Sequence, residues 1–308
     1  MTFFCFAILY RRTQNHREKV LKKSSLLLLC ALLPTASFAD ESLTLSIRRI
    51  GLELSKTQVR HADQYQDSPI SALNADNQDF IKGVFDTALE YKHGRLQWDN
   101  SLFMEYGETT LKPYDEPETV SENADDILLS SNLEYGCWET SGFKFGPTVR
   151  AAYDTEFVAS DDAPRQNVVR ANAGLSLFDN AVIKSLYLTG VYEYDFTYSD
   201  EQVSKLAAEL GWRLEYEIRD GVKFSSNGYY REYLSYSQYI PTDLERDLSA
   251  VIRMDTNLWG DMTMGPYAQY RRAKARGADV YASNFIIGIS FNYITKFGLI
   301  DNKSTTAE

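Results

Sequence analysis

Charged residues recur two apart in several stretches: Glu193 and Asp195, Arg213 and Glu215, Arg253 and Asp255. Residues i and i+2 share one face of a β-strand, so each pair would lie on a single charged surface. The same phase in neighbouring stretches adds Glu105, Arg150, Arg170 and Arg231. A surface carrying both signs can do two things. It can lock opposite charges into ion pairs, or it can set the selectivity of a hydrated path for small ions. Catalysis finds less support. His61 and His93 are the histidines that follow residue 39. They fall in a long connection and a tight turn, at opposite ends of the predicted fold, so they cannot share an acid–base site. The adjacent carboxylates Asp125-Asp126 and Asp161-Asp162 sit in polar stretches where solvation accounts for them. No zinc spacing, phosphate-cradling glycine loop or nucleotide fingerprint occurs. The expectation is a protein that is not an enzyme and uses neither cofactor nor metal.

The elements that must position these charges are long strands. Leu186 to Tyr198 reads LYLTGVYEYDFTY, with every second residue from Leu186 apolar, aromatic or Gly. Strands of soluble proteins usually stop at five or six residues. The pattern recurs from Ser42 to Phe297 and predicts about twelve strands, including one that slips phase at Arg48-Arg49 as a bulge would. Tight Asx/Gly turns alternate with long polar connections, roughly 57–80, 108–125, 158–166, 236–246 and 272–282. One rim of turns and one rim of loops is what an up-and-down antiparallel barrel produces.

Strand length and phase then choose the solvent. A tilted strand of about 9–11 residues crosses a bilayer, and a sheet in lipid must close on itself. The fold class is all-β: a transmembrane β-barrel with its apolar set facing lipid and its charged set facing the lumen. A soluble sandwich or lipocalin-like barrel would also alternate, but with the apolar face inward. The chain has 21 Tyr, 16 Phe and 4 Trp. Tyr106, Phe157, Tyr198 and Tyr236 fall at loop-side strand ends, Trp138 and Trp259 at turn-side ends. They are expected to form aromatic girdles at the two headgroup layers.

The N-terminus has a different composition. Lys22-Lys23 precede SSLLLLCALLPTASFA, which has the form of a cleavable secretory signal ending at Ala39. Residues 1–39 are expected to be an extension plus signal, 40–297 the barrel and 298–308 a short polar tail. Six of the 32 basic and one of the 43 acidic residues precede Asp40, leaving 26 against 42, a net charge of −16. Nucleic acid is therefore not an expected partner. One cysteine, Cys137, remains after Ala39, so no internal disulfide is available.

The chain from 42 to 297 resembles the outer-membrane β-barrel proteins of Gram-negative bacteria. The resemblance rests on this architecture and on the last strand, NFIIGISFNYITKF. It departs at Thr295, an alternating position usually apolar, and in the eleven residues after Phe297. It implies a place in the outer membrane, contact with the bilayer, and engagement of the barrel-assembly machinery through that strand. The stretch Tyr114–Asp126 carries six acids, which could bind divalent cations bridging lipopolysaccharide phosphates. The leading functional expectation is a passive, porin-like channel for small hydrophilic solutes or ions. The alternative is a non-conducting barrel acting through its acidic loops, and a hydrolase at the rim ranks behind both.

Overall fold

Period-two alternation over a dozen or more residues leaves one solution in which both faces of a sheet are satisfied, and the chain adopts it. The computed structural model describes residues 41–68, 70–74, 79–111, 119–140, 142–159 and 164–302. The proposed signal before Asp40 and the first five residues of the acidic run beginning at Tyr114 lie outside them. Thirteen strands follow in order: β1 (Glu41–Arg60), β2 (Asp79–His93), β3 (Leu96–Leu111), β4 (Thr119–Tyr135), β5 (Trp138–Thr140), β6 (Phe143–Thr155) and β7 (Asn167–Phe178). Then come β8 (Ile183–Asp195), β9 (Val203–Arg219), β10 (Val222–Tyr236), β11 (Leu244–Trp259), β12 (Met262–Ala275) and β13 (Ala282–Asn302).

All pairings are antiparallel. Twelve long strands form a ring in which β1 pairs β13 and β4 pairs β6, while three-residue β5 is an extra ribbon on β6. Closure leaves none of the long strands with an unpaired edge, as a sheet in hydrocarbon requires. No described helix is long and apolar enough to cross a membrane, so any crossing is by strands. The tight turns use the residues expected of them. Gly94 and Gly221 have positive φ, which turns of this kind demand and glycine supplies freely.

The side chains are sorted as the phase predicts. Leu52, Leu54, Leu188, Leu210 and Ile287 are 45–63% exposed on the outer wall. Between them, Glu53, Thr189, Glu209 and Ile286 are at most 4% exposed. The core of this molecule is its polar lumen, the reverse of a soluble barrel. The bulge also forms: both ladders of β1 shift between Ile47 and Ile50.

Two expectations need correction. The barrel does not end at Phe297: Gly298 to Asn302 continue the ladder against Glu41–Thr44. β1 begins at Glu41, and its first residues take these as partners. The connection near 57–80 is also not simply a polar loop. Arg60 ends β1, and the chain then makes a 3₁₀ turn (Ala62–Gln64) and one helical turn, α1 (Ser71–Asn74). Tyr65 and Leu73 are buried against Leu244, Ala273, Ala275, Ala278 and Ala282. The Tyr65 hydroxyl donates to the Val280 carbonyl (2.8 Å) and accepts from the Ala275 N–H (3.1 Å), and Asn284 Nδ2 donates to the Ala72 carbonyl (2.6 Å).

Candidate functional site

The lumen is the candidate site, and its charges are brought together by strand register. At mid-height Glu53 accepts from Arg253 (2.7 Å) and Arg49 (3.1 Å) and lies 3.3 Å from Lys82 Nζ. Lys82 also reaches Glu105 at 2.7 Å. The Arg253 guanidinium lies 4.9 Å from the centre of the Tyr267 ring, a cation–π contact, and 3.9 Å from Asp255. Nearer the loop side, Glu193 meets Arg170 (2.7 Å), Lys205 (3.2 Å) and Arg231 (3.4 Å). Arg170 also pairs with Asp154 (2.6 Å), and Lys205 with Asp195 (3.0 Å) and Asp243 (2.8 Å). Arg231 joins Glu209, 2.5 Å away.

Toward the turn side Arg48 joins Glu90 at 3.0 Å and also bonds Asp99. Arg213 lies 3.7 Å from Glu90, 3.8 Å from Asp99 and 3.5 Å from Glu215, which takes Lys223 at 2.6 Å. β9, which carries Arg213, stands six places from β2 in the ring of twelve, so this contact spans the full diameter. At the turn-side mouth Lys92 and Lys144 converge on Asp179, a left-handed turn residue. Burial alone would raise the Asp179 carboxyl, but hydrogen bonds from the two ammonium groups hold it below its ordinary value.

Nine of the ten predicted charges therefore sit in ion pairs. Arg150 is the exception among them, donating to the Tyr187 hydroxyl at 3.5 Å. Glu53, Lys82 and Lys205 were missed, yet the same phase reaches them. Phe80 and Val84 flank Lys82 on the buried face, where the polar connection expected near 57–80 gives way to strand. Arg48 and Arg49 both point inward because the bulge places consecutive residues on one side. The lumen is also less uniformly polar than expected. Phe80, Ala124, Tyr267 and Ile286 form an apolar cluster inside it, below the Tyr65–Leu73 plug. A cavity of about 50 Å³ survives at the loop-side end, lined by Arg170, Lys205 and Asp243 among others.

The expected girdle residues divide. Trp138 and Trp259 are the most exposed tryptophans, at 63% and 69%, and Phe157 packs edge-on against Tyr106 at 5.9 Å. Tyr198 and Tyr236 go elsewhere. The chain leaves the ladder at Asp195, and Tyr198 turns onto the loop-side cavity. In β10 the register shifts between Tyr233 and Ser235, which pairs Tyr236 with lumen-facing Lys205 and bonds its hydroxyl to the Leu244 carbonyl. His61 bonds the Tyr281 carbonyl at 2.9 Å, while His93 stacks on Tyr91 at the other rim. Among the described residues no three His, Cys, Asp or Glu side chains cluster as a metal site would need.

A closed ring of crossing-length strands, oily outside and charge-paired within, defines a transmembrane β-barrel. The chain is such a barrel. No family model matches it, and no curated protein matches it. Among solved structures it is similar to the outer membrane phospholipase A from Escherichia coli, at 11% identity over 80% of this chain and 90% of that one, TM-score 0.43. It is also similar to the NanC porin, at 13% identity over 78% and 98%, TM-score 0.40. An outer-membrane channel from Pseudomonas putida F1 follows at 12% identity over 85% and 97%, TM-score 0.37. These likenesses are distant, and no activity is carried over from them.

Proposed function

We propose that this barrel is closed at rest and works as a rigid transmembrane scaffold that presents its loop-side surface. The open passive channel for small hydrophilic solutes is the less favoured reading. The contact that carries this choice is Arg213 against Glu90 and Asp99, a bridge across the whole lumen width. Above it the Glu53–Lys82–Arg253 group and the Tyr65–Leu73 plug obstruct the same axis. In this reading nine of the ten sequence-derived charges brace the barrel through ion pairs and do not line an ion path. A small barrel filled by its own side chains has no room for a hydrated solute.

Planar-bilayer recordings on refolded protein test the proposal. The wild type should give no discrete conductance steps. A variant lacking residues 62–74 should also stay silent, because the ion pairs below the plug remain. Stable steps in the wild type would overturn the scaffold reading. Steps that appear once the plug is deleted would replace it with a gated channel.

A further inference from the structure

Nearly every described lumen cation has a carboxylate partner, but two neighbouring arginines on the outer wall do not. Arg60, at the loop-side end of β1, and Arg272, on β12, are both paired with Ser283 of the intervening β13. Both lie in the outward phase and are exposed. Two inter-strand spacings put their Cα atoms roughly 10 Å apart, a gap that suits a phosphate group. Among the described residues neither meets a carboxylate. The Arg272 guanidinium stands 4.4 Å from the centre of the Tyr281 ring, whose hydroxyl accepts from Arg246 at 2.8 Å. Arg246 itself is engaged by Glu232 at 2.9 Å. In a chain this acidic, two unpaired arginines side by side on a membrane-facing wall call for an anion from outside the protein.

Their height on the wall identifies the anion's setting. One outward step below lie Gln58, Phe285 and Tyr270; the next is Lys56, beside Ile287. There the surface holds a shallow, open depression lined by Leu54, Lys56, Asp79, Ile81, Ile287 and Ile289. Lys56 forms only a loose pair with Asp79, 3.5 Å apart and mostly exposed. Arg60 stands four residues above Lys56, about 13 Å along the strand. The apolar side chains there, Leu54, Ile81, Ile287 and Ile289, with Arg60 and Arg272 higher on the same wall, fit one amphiphile: acyl chain below, phosphate above. The long-loop rim faces the cell exterior, so the leaflet concerned is the outer one, where phosphorylated glycolipid is the anionic component.

We infer that the wall formed by β1, β2, β12 and β13 binds a phosphorylated outer-leaflet glycolipid. Arg60 and Arg272 grip its phosphate and the Leu54–Ile287 depression takes an acyl chain. The site lies outside the barrel and is independent of whether the lumen conducts.

The test titrates refolded full-length barrel in detergent micelles with fluorescent bisphosphorylated lipid A and follows anisotropy. Arg60→Gln with Arg272→Gln should weaken binding about 25-fold, at about five-fold per arginine near a charged membrane surface. The double Arg→Lys variant should bind nearly as wild type, and heat-modifiable gel migration checks that each variant is folded. Dephosphorylated lipid A should compete poorly, and so should phosphatidylglycerol. Unchanged binding by a folded double Gln variant would overturn the assignment. Equal competition by dephosphorylated lipid A or by phosphatidylglycerol would also overturn it.

Discussion

Glu53 meets three cations at once and is 1% exposed, so its carboxylate is held by the protein and not by water. Removing one member of such a buried group strands the others, at a cost of about 3–5 kcal/mol. Glu53→Ala should therefore lower the urea midpoint of the refolded barrel strongly. Arg246→Gln breaks an exposed pair and should cost less than about 1 kcal/mol. Equal shifts for the two variants would mean that water already fills the lumen around Glu53. Much at this scale is legible from the sequence, because alternation alone assigns a side chain to lipid or lumen. It fails where the count of two is interrupted. Tyr236 turns inward after a one-residue slip, and Tyr198 has left the ladder. Partner identity is also invisible there, since Arg213 and Glu90 meet only after the ring has closed.

At the scale of elements, the β1 bulge keeps both halves of a 20-residue strand in phase. Deleting Arg48 would turn one half over and send Glu53 or its counterparts toward hydrocarbon. The variant should fail to fold in a heat-modifiability assay, whereas Arg48→Gln should still fold. A normally folded deletion would show that the bulge is not what sets the register. The turn after β7 offers a pH test. The Asp179 carboxyl is held below its reference value of 3.8. The stability it adds is therefore complete above pH 3.8 and lost as pH falls through the folded value. Asn keeps the left-handed turn, so Asp179→Asn isolates the charge. The variant should be less stable at pH 7 and should converge with wild type well below pH 3.8. A difference that persists at low pH would exclude the Lys92 and Lys144 pairing as its source.

For the whole molecule, strand number, bulge and turn rims follow from the sequence, but the closed lumen does not. The stretch after Arg60 reads as a polar loop because Asp63, Gln64, Asp67 and Asn74 surround Tyr65 and Leu73. Only the ring's own mouth offers those two side chains an apolar seat, on Ala273, Ala275 and Ala282. The scaffold reading and the lipid site both depend on one inside-out arrangement. Spin labels at adjacent positions test it most directly. In a Cys137→Ser background, single cysteines at Leu175, Ser176, Leu188 and Thr189 would be labelled with a nitroxide in reconstituted vesicles, and collision with oxygen measured at each. Labels at 175 and 188 should be strongly relaxed by lipid-dissolved oxygen, and those at 176 and 189 weakly. Uniform oxygen access, or the opposite alternation, would contradict the barrel described here.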